Sequence, residues 1–141
     1  MTVAPELIHA SCVAIDGRGV LIEGPSGAGK SDLALRLIDR GAVLVADDYT
    51  EVHAEDGALV ARPPFRTAGK MEIRGIGIVD EPFVAHAPLA LAVALDRVTE
   101  RHPERAERTF RDGRLPLIAI AAFEASAPIK VERALAGSAA R

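Results

Sequence analysis

Residues 20–31 read Val20-Leu21-Ile22-Glu23-Gly24-Pro25-Ser26-Gly27-Ala28-Gly29-Lys30-Ser31, and this stretch decides the fold. Its last eight residues have the form G-x-x-x-x-G-K-S. They stand directly after an apolar run and directly before a helical pattern. A strand, a glycine-rich loop and a helix in this order are typical of the phosphate-binding P-loop.

Each residue type in the loop has a physical reason. Gly24, Gly27 and Gly29 let the backbone wrap with its N–H groups pointing inward, which makes a nest for phosphate oxygens. The helix that follows points its positive N-terminal end at the same anion. Lys30 supplies a flexible cation for the outer phosphates, and the Ser31 hydroxyl can complete a Mg²⁺ shell. A glycine-rich turn that only caps a helix is the alternative, but the combination predicts a nucleoside triphosphate site.

Composition limits the class of protein. The chain has 141 residues, of which 49% are hydrophobic and 4% aromatic, so we expect one domain with an aliphatic core. A net charge of −3 gives no electrostatic footprint for nucleic acid. Cys12 is the one cysteine, which excludes an internal disulfide, fits a reducing cytoplasm and predicts a small buried side chain in a strand. The sequence has neither a secretory leader nor a long apolar run, so we expect a cytoplasmic protein without a membrane segment.

Short strands and hairpins dominate the rest of the pattern. Hairpins are predicted around turns rich in Asp and Gly, at residues 9–22, 50–62 and 109–121. Further strands are predicted at 43–46, 71–79 and 89–95, and loops at 63–70 and 99–107. Helices are predicted from residue 30 to a stop at Arg40-Gly41 and from an N-cap at Ser126 to about Leu135, with a lead-in at 1–8 and a frayed tail at 137–141. This pattern predicts an α/β nucleotide-binding core with a mixed, hairpin-rich sheet.

Asp47 and Asp48 follow the predicted strand at 43–46, one helix after the P-loop. In a parallel βαβ unit the carboxyl ends of the strands line the ligand crevice. Two adjacent carboxylates there can serve as a general base and a metal-associated acid. The alternative is an acidic turn, because Asp is common where strands end.

A second unusual stretch reads Glu72-Ile73-Arg74-Gly75-Ile76-Gly77-Ile78. On a strand, Glu72 and Arg74 would point to one face, where they could hold Mg²⁺ and phosphate. Taken alone, this pair is also typical of an exposed ion pair on a sheet. His9 and Arg114 taken alone are most simply a surface or capping histidine and an exposed turn cation.

The chain resembles the catalytic domain of the HPr kinase/phosphorylase family. The matching pieces run from residue 9 to about 121 and are His9, the P-loop, Val45-Ala46-Asp47-Asp48, the stretch at 72–78 and the turn Arg111-Asp112-Gly113-Arg114. In that turn Asp112 stands where the family has Pro. The resemblance is to the short, alphaproteobacterial-type form without an N-terminal domain. It implies a P-loop core akin to that of phosphoenolpyruvate carboxykinase and a single catalytic domain over residues 1–141.

The resemblance also implies an activity. The family uses ATP and Mg²⁺ to phosphorylate a serine of HPr, a phosphocarrier of the sugar phosphotransferase system, and removes that phosphate with inorganic phosphate, releasing pyrophosphate. By position, residues 24–31 would bind ATP, and Ser31 and Glu72 would hold Mg²⁺. Asp48 would be the general base, assisted by Asp47 and His9, while Arg74 and Arg114 would steady the phosphoryl group.

The resemblance gives expectations for partners as well. The partner would be an HPr-like protein, and a homo-oligomer is expected because the longer members assemble as hexamers. Residues 123–135, which match the longer members poorly, would help to bind the partner and neighbouring subunits. Two other functions remain open: a P-loop kinase of a small metabolite, and a regulatory module that binds ATP without transferring phosphate.

Overall fold

The computed structural model describes the backbone of residues 4–139 and the side chains of residues 4–137. Within these residues the strands are β1 (Glu6–Ile8), β2 (Ala10–Ile15), β3 (Arg18–Glu23), β4 (Val43–Ala46), β5 (Thr50–Glu55), β6 (Ala58–Arg62), β7 (Lys70–Ile73), β8 (Gly77–Asp80), β9 (Ala87–Ala94), β10 (Ala106–Phe110) and β11 (Gly113–Ala119). The helices are α1 (Lys30–Asp39) and α2 (Ala127–Ala139), with a 3₁₀ turn at Phe65–Thr67. In the described part of the chain, neither helix is long and apolar enough to cross a membrane.

The P-loop joins the centre of the sheet to α1. β2 and β3 form the predicted hairpin, and Asp16 and Gly17 in its turn have φ of 50° and 78°, as a two-residue turn of this kind requires. The inner face of α1 buries Leu33, Ala34 and Leu37. The last residue of α1 is Asp39, and the predicted stop at Arg40-Gly41 follows it directly.

The direction of the strands decides where the site forms. β3 runs parallel to β9, β9 runs parallel to β11, and β2 runs antiparallel to both β3 and β4. β4, β3, β9 and β11 therefore end at one edge of the sheet, and β2 begins there. β3, α1 and β4 make the expected parallel unit, with β2 inserted between its two strands.

Both faces of this sheet are buried. Val20 and Ile22 of β3 pack on the side of the helices, with Leu33 and Leu37 of α1 and Val131 of α2. Leu21 packs on the opposite side, where the sheet curls over through β5, β6, β10 and β11. Because both faces are covered, the central strands read as continuous apolar runs.

Most predicted elements are confirmed, and the structure adds detail to several. The helices and the three hairpins are present, the strand at 43–46 has the predicted bounds, and the strand predicted at 89–95 is β9. β10 begins at Ala106, inside the predicted loop at 99–107, and the lead-in contains β1. α2 continues past Leu135 to Ala139, so the predicted fraying is wrong for 137–139, while residues 1–3 and 140–141 lie outside the described residues.

The prediction of one strand over 71–79 is wrong. β7 and β8 are two strands of a separate hairpin, and the N–H of Ile76 donates to the carbonyl of Ile73 at 2.9 Å to close the turn. Gly75 and Gly77 have φ of 89° and 110°, which allows this reversal. Arg74 therefore lies in a turn, so Glu72 and Arg74 do not share one face of a strand.

Cys12 should be chemically inert in the folded protein. Its side chain is fully buried, as the sequence predicts, and this burial raises the pKa of the Cys12 thiol well above its ordinary value. Because the thiolate is the reactive form, a chromogenic thiol reagent should label the native protein only as fast as it unfolds, and the denatured protein at once. Rapid stoichiometric labelling of the native protein would contradict this packing.

Candidate active site

One cleft lies along the P-loop at the edge where the parallel strands end. It has a volume of about 630 Å³ and is lined by the loop and α1 (Ser26, Gly27, Gly29, Lys30, Ser31, Asp32, Leu35), by Asp48, by the β7–β8 hairpin (Glu72, Ile73, Arg74, Gly75, Gly77) and by Phe123. The structure thus brings together the P-loop, Asp48, Glu72 and Arg74, which are far apart in sequence.

The loop has the backbone that its glycines predict. Gly27 and Gly29 have φ of 85° and 98°, and the carbonyl of Gly29 accepts the first helical hydrogen bond from Leu33. Lys30 is buried, and its ammonium donates to the carbonyls of Gly24 at 2.7 Å and Pro25 at 3.1 Å. The cation is therefore held directly at the loop.

Asp47 connects three parts of the site. Its Oδ1 accepts hydrogen bonds from the Ser31 hydroxyl at 2.6 Å and the Ser11 hydroxyl at 3.0 Å. Its Oδ2 accepts from the backbone N–H of Glu72 at 3.0 Å. Asp47 is only 8% exposed. One buried carboxylate thus links the P-loop, β2 and the β7–β8 hairpin.

Asp48, in contrast to the buried Asp47, is exposed on a tight turn. The N–H of Tyr49 donates to the carbonyl of Asp47 at 2.8 Å, and Asp48, at the centre of this turn, has a φ of 68°. A γ-turn with a positive central φ is rare and strained, and such strain is concentrated at functional sites. The Ser11 hydroxyl accepts from the N–H of Asp48 at 3.1 Å. The turn leaves 60% of the Asp48 side chain exposed.

His9 is the partner of Asp48. Its Nε2 lies 3.0 Å from Oδ1 of Asp48, and its ring stacks on Tyr49 with the centroids 4.9 Å apart. His9 precedes β2, which begins at the edge where β4 ends, and this explains the contact. His9 also lines a smaller cleft of about 370 Å³ with Gly24 and Pro25, but that cleft holds neither Lys30 nor Asp48.

The resemblance predicts two further cations at the site, Arg74 and Arg114, and only Arg74 lies at the cleft within this chain. Arg74 is exposed in the β7–β8 turn and lines the cleft. Arg114 lies near the start of β11, the end of that strand remote from the P-loop, and pairs with Glu107 at 3.6 Å. Within one chain Arg114 is therefore not brought to the cleft.

Sequence reasoning missed Ser11, Tyr49 and Phe123. Ser11 is buried in β2 and bridges the two aspartates, but a serine within an apolar strand carries no local signal. Tyr49 directly follows the aspartates, and only the stacking on His9 distinguishes it. Phe123 lies in the connection before α2, and no pattern predicts that it reaches the P-loop.

The comparisons with known proteins agree with this geometry. A family model described as the HPr serine kinase C-terminal domain matches residues 2–111. The chain belongs to this HPr serine kinase family. The solved structure of the Hpr(Ser) kinase/phosphatase from Coxiella burnetii has the same P-loop kinase fold, with a TM-score of 0.82 and 27% identity, covering 96% of this chain and 97% of that one.

Curated relatives match a shorter region. The HPr kinase/phosphorylase of Clostridium acetobutylicum is 50% identical over 80 residues, and that of Clostridium tetani is 48% identical over 80 residues. Each match covers 56% of this chain and 26% of the relative. The matched part is thus about a quarter of the length of these HPr serine kinase family proteins.

The residues present fit a magnesium-bound nucleotide. Mg²⁺ is commonly held by one or two protein oxygens together with phosphate oxygens and water. The Ser31 hydroxyl, oriented by Asp47, and the exposed Glu72 carboxylate line the same cleft and are oxygen donors of this kind. The positive φ of Gly27 and Gly29 fits a loop whose N–H groups turn toward an anion.

Loss of the carboxylate should destabilise the protein much more at Asp47 than at Asp48. Asp47→Ala leaves three donors without their acceptor and should lower the free energy of unfolding by about 2 kcal/mol. Asp48→Gly removes an exposed side chain and relieves a positive φ, so it should stay within about 1 kcal/mol of the wild type. Urea titrations of both variants measure this, and equal losses would contradict the division between a buried link and an exposed group.

Proposed function

We propose that this chain is the catalytic domain, over residues 1–141, of an ATP-dependent kinase that phosphorylates a serine of an HPr-like phosphocarrier protein. Membership in the HPr serine kinase family supports the reaction class. The observation that carries the proposal is the exposed Asp48, held on a strained turn in the same cleft as the P-loop lysine. A module that only binds ATP would not need this carboxylate.

In the kinase direction Asp48 acts as the general base. Its carboxylate takes the proton of the substrate serine as the serine oxygen forms a bond to the γ-phosphorus, and the bond from that phosphorus to the β-phosphate oxygen breaks to release ADP. His9 holds the Asp48 side chain through the 3.0 Å hydrogen bond. Asp47 is a positioning residue, because its oxygens already accept three hydrogen bonds.

The remaining residues bind and orient the phosphates. Lys30 and the N–H groups of the P-loop hold the β-phosphate, and Arg74 steadies the transferring phosphoryl group from the hairpin on the other side of the cleft. Ser31 and Glu72 would hold Mg²⁺. When bound, this ion neutralises the charge that develops between the β- and γ-phosphates.

We also propose the reverse use of the site. Inorganic phosphate attacks the phosphorus of phosphoserine, the bond to the serine oxygen breaks, and Asp48 returns its proton to that oxygen as pyrophosphate leaves. The relatives are named a kinase/phosphorylase and a kinase/phosphatase, which supports a second activity. Because one carboxylate serves both directions, both activities should depend on Asp48.

The surroundings of the cleft favour a protein substrate over a small metabolite. Asp48 is exposed, and Ile76 and Ile78 on the adjacent hairpin are each 73% exposed. An open site beside an apolar surface fits a folded partner better than an enclosed metabolite.

We further propose a homo-oligomer, in which Arg114 would reach the site of a neighbouring subunit.

Asp48→Asn should abolish phosphoryl transfer and leave ATP binding nearly intact. Asn tolerates a positive φ, so the turn should persist while the proton acceptor is lost. The rate should fall by about 10²–10⁴. The assay mixes the protein with ATP, Mg²⁺ and an HPr-like protein and follows the intact mass of that protein, with Asp39→Asn on the exposed face of α1 as control. Undiminished transfer would contradict the role of general base.

Lys30→Ala should weaken nucleotide binding itself. The change removes the only cation that the structure seats on the P-loop backbone among the described residues, so ATP affinity should fall at least about tenfold. Calorimetric titration with ATP and Mg²⁺ measures this, with Lys70→Ala, which removes an exposed lysine paired with Asp80, as the matched control. Unchanged affinity would refute the P-loop site.

Tight ATP binding without transfer to any HPr-like protein would favour the kinase of a small metabolite.

A further inference from the structure

Phe123 is an aromatic side chain placed in the phosphate cleft without burial. It is 71% exposed, yet it lines the same cleft as Lys30 and Ser31. Its ring lies against the start of α1, because a Cβ at Gly29 would come within 2.9 Å of Cζ of Phe123. The ring therefore forms one wall of the cleft beside the P-loop.

The connection that carries Phe123 is fastened to α1. Arg36 donates from Nη1 to the carbonyl of Glu124 at 3.1 Å and from Nη2 to the carbonyl of Ala122. Asp32 accepts from Nε of Arg36 at 3.0 Å and so orients the guanidinium. The carbonyls of the residues on both sides of Phe123 thus bind one arginine, so hydrogen bonds fix the backbone that carries the ring.

The two ends of the cleft differ in chemistry. Lys30, Ser31 and Asp48 mark the end where the outer phosphates and the acceptor serine would meet. Leu35 lies one helical turn after Ser31 on α1, and it lines the cleft together with Phe123. A nucleotide whose outer phosphates lie at Lys30 would carry its base past the N-terminus of α1 toward these two apolar side chains.

We propose that Phe123 is the stacking platform for the nucleobase, with Leu35 at its side and Arg36 as the positioning residue. The inference rests on the proposed nucleotide site but not on the identity of the protein substrate. A flat, exposed ring beside a phosphate loop suits the face of a base, and stacking of this kind accepts purines and pyrimidines alike. The platform lies outside the region that the family model matches, residues 2–111.

The first experiment compares ATP with inorganic tripolyphosphate, which has the phosphates but no base. Calorimetric titrations in Mg²⁺ should show that Phe123→Ala weakens ATP binding about tenfold and leaves tripolyphosphate binding unchanged. Phe123→Tyr should restore ATP affinity. Phe65→Ala is the matched control, because Phe65 is 97% exposed and does not line the cleft.

A second experiment reports stacking directly. The chain has no tryptophan and one tyrosine, so Phe123→Trp introduces one tryptophan at the platform that can be excited selectively over Tyr49. ATP should quench or shift its emission at saturation, whereas saturating tripolyphosphate should leave the emission near that of the free protein. The same response to both ligands would overturn stacking. Arg36→Ala, which releases the connection, should weaken ATP binding in the same selective way as Phe123→Ala.

The other possible results distinguish failure of this inference from failure of the proposed function. If Phe123→Ala leaves ATP affinity unchanged and raises the KM for the phosphocarrier protein, the ring is a partner contact and the inference is wrong. If the variant loses ATP and tripolyphosphate equally, the ring only supports the P-loop, and the inference is again wrong. If the wild type binds neither ligand, both the nucleotide site and the platform fail. If base-selective loss occurs without transfer to any HPr-like protein, the platform stands and the proposed substrate fails.

Discussion

The hydrogen bonds of the Asp47 carboxylate are the interaction on which the site depends. They join Ser31 at the start of α1, Ser11 in β2 and the backbone of Glu72 in β7. Burying a carboxylate is costly unless its oxygens are paired, and here both are. The same bonds bring the β7–β8 hairpin, which is a separate small sheet, against the P-loop. Met71, fully buried in β7, packs in the same core as α1, so the hydrogen bond to Glu72 and this packing together fix the hairpin beside the P-loop.

The inserted strand β2 gives the site its second constraint. In a plain parallel unit β4 would lie directly beside β3, and no strand would begin at the edge where both end. Because β2 runs antiparallel between them, its first residues reach that edge, with Ala10 opposite Glu23 and Cys12 opposite Ala46. His9 and Ser11 therefore reach the two aspartates. The N-terminal hairpin is thus part of the candidate active site.

The sequence predicts those parts of the molecule whose local signals are strong. The P-loop, the strand that ends in Asp47-Asp48 and the Asp-Gly turns each have chemistry that allows few other structures, and the structure confirms their backbone. The resemblance predicts a functional role for the stretch at 72–78, but the prediction of a single strand there is wrong, because alternating isoleucines conceal a turn that depends on two glycines. The positions of Ser11 and Phe123 could not be predicted, because they depend on contacts between residues distant in sequence. Ser11 bonds to Asp47, 36 positions away, and Ala122, which precedes Phe123, bonds to Arg36, 86 positions away.

The two neighbouring aspartates differ in their hydrogen bonds, and the roles proposed for them follow from this difference. Asp47 accepts three hydrogen bonds through both of its oxygens, so its orientation is set. Asp48 has one side-chain partner and an open face. In the proposed reaction, the exposed Asp48 beside an open cleft is also accessible to water, which would compete with a serine as the attacking group. For a kinase built this way, exclusion of water has to come from the docked substrate, because closure removes solvent from the reacting groups. Ile76 and Ile78 are exposed on the hairpin that lines the cleft together with Asp48. If the proposed partner docks on them, docking would couple to phosphoryl transfer.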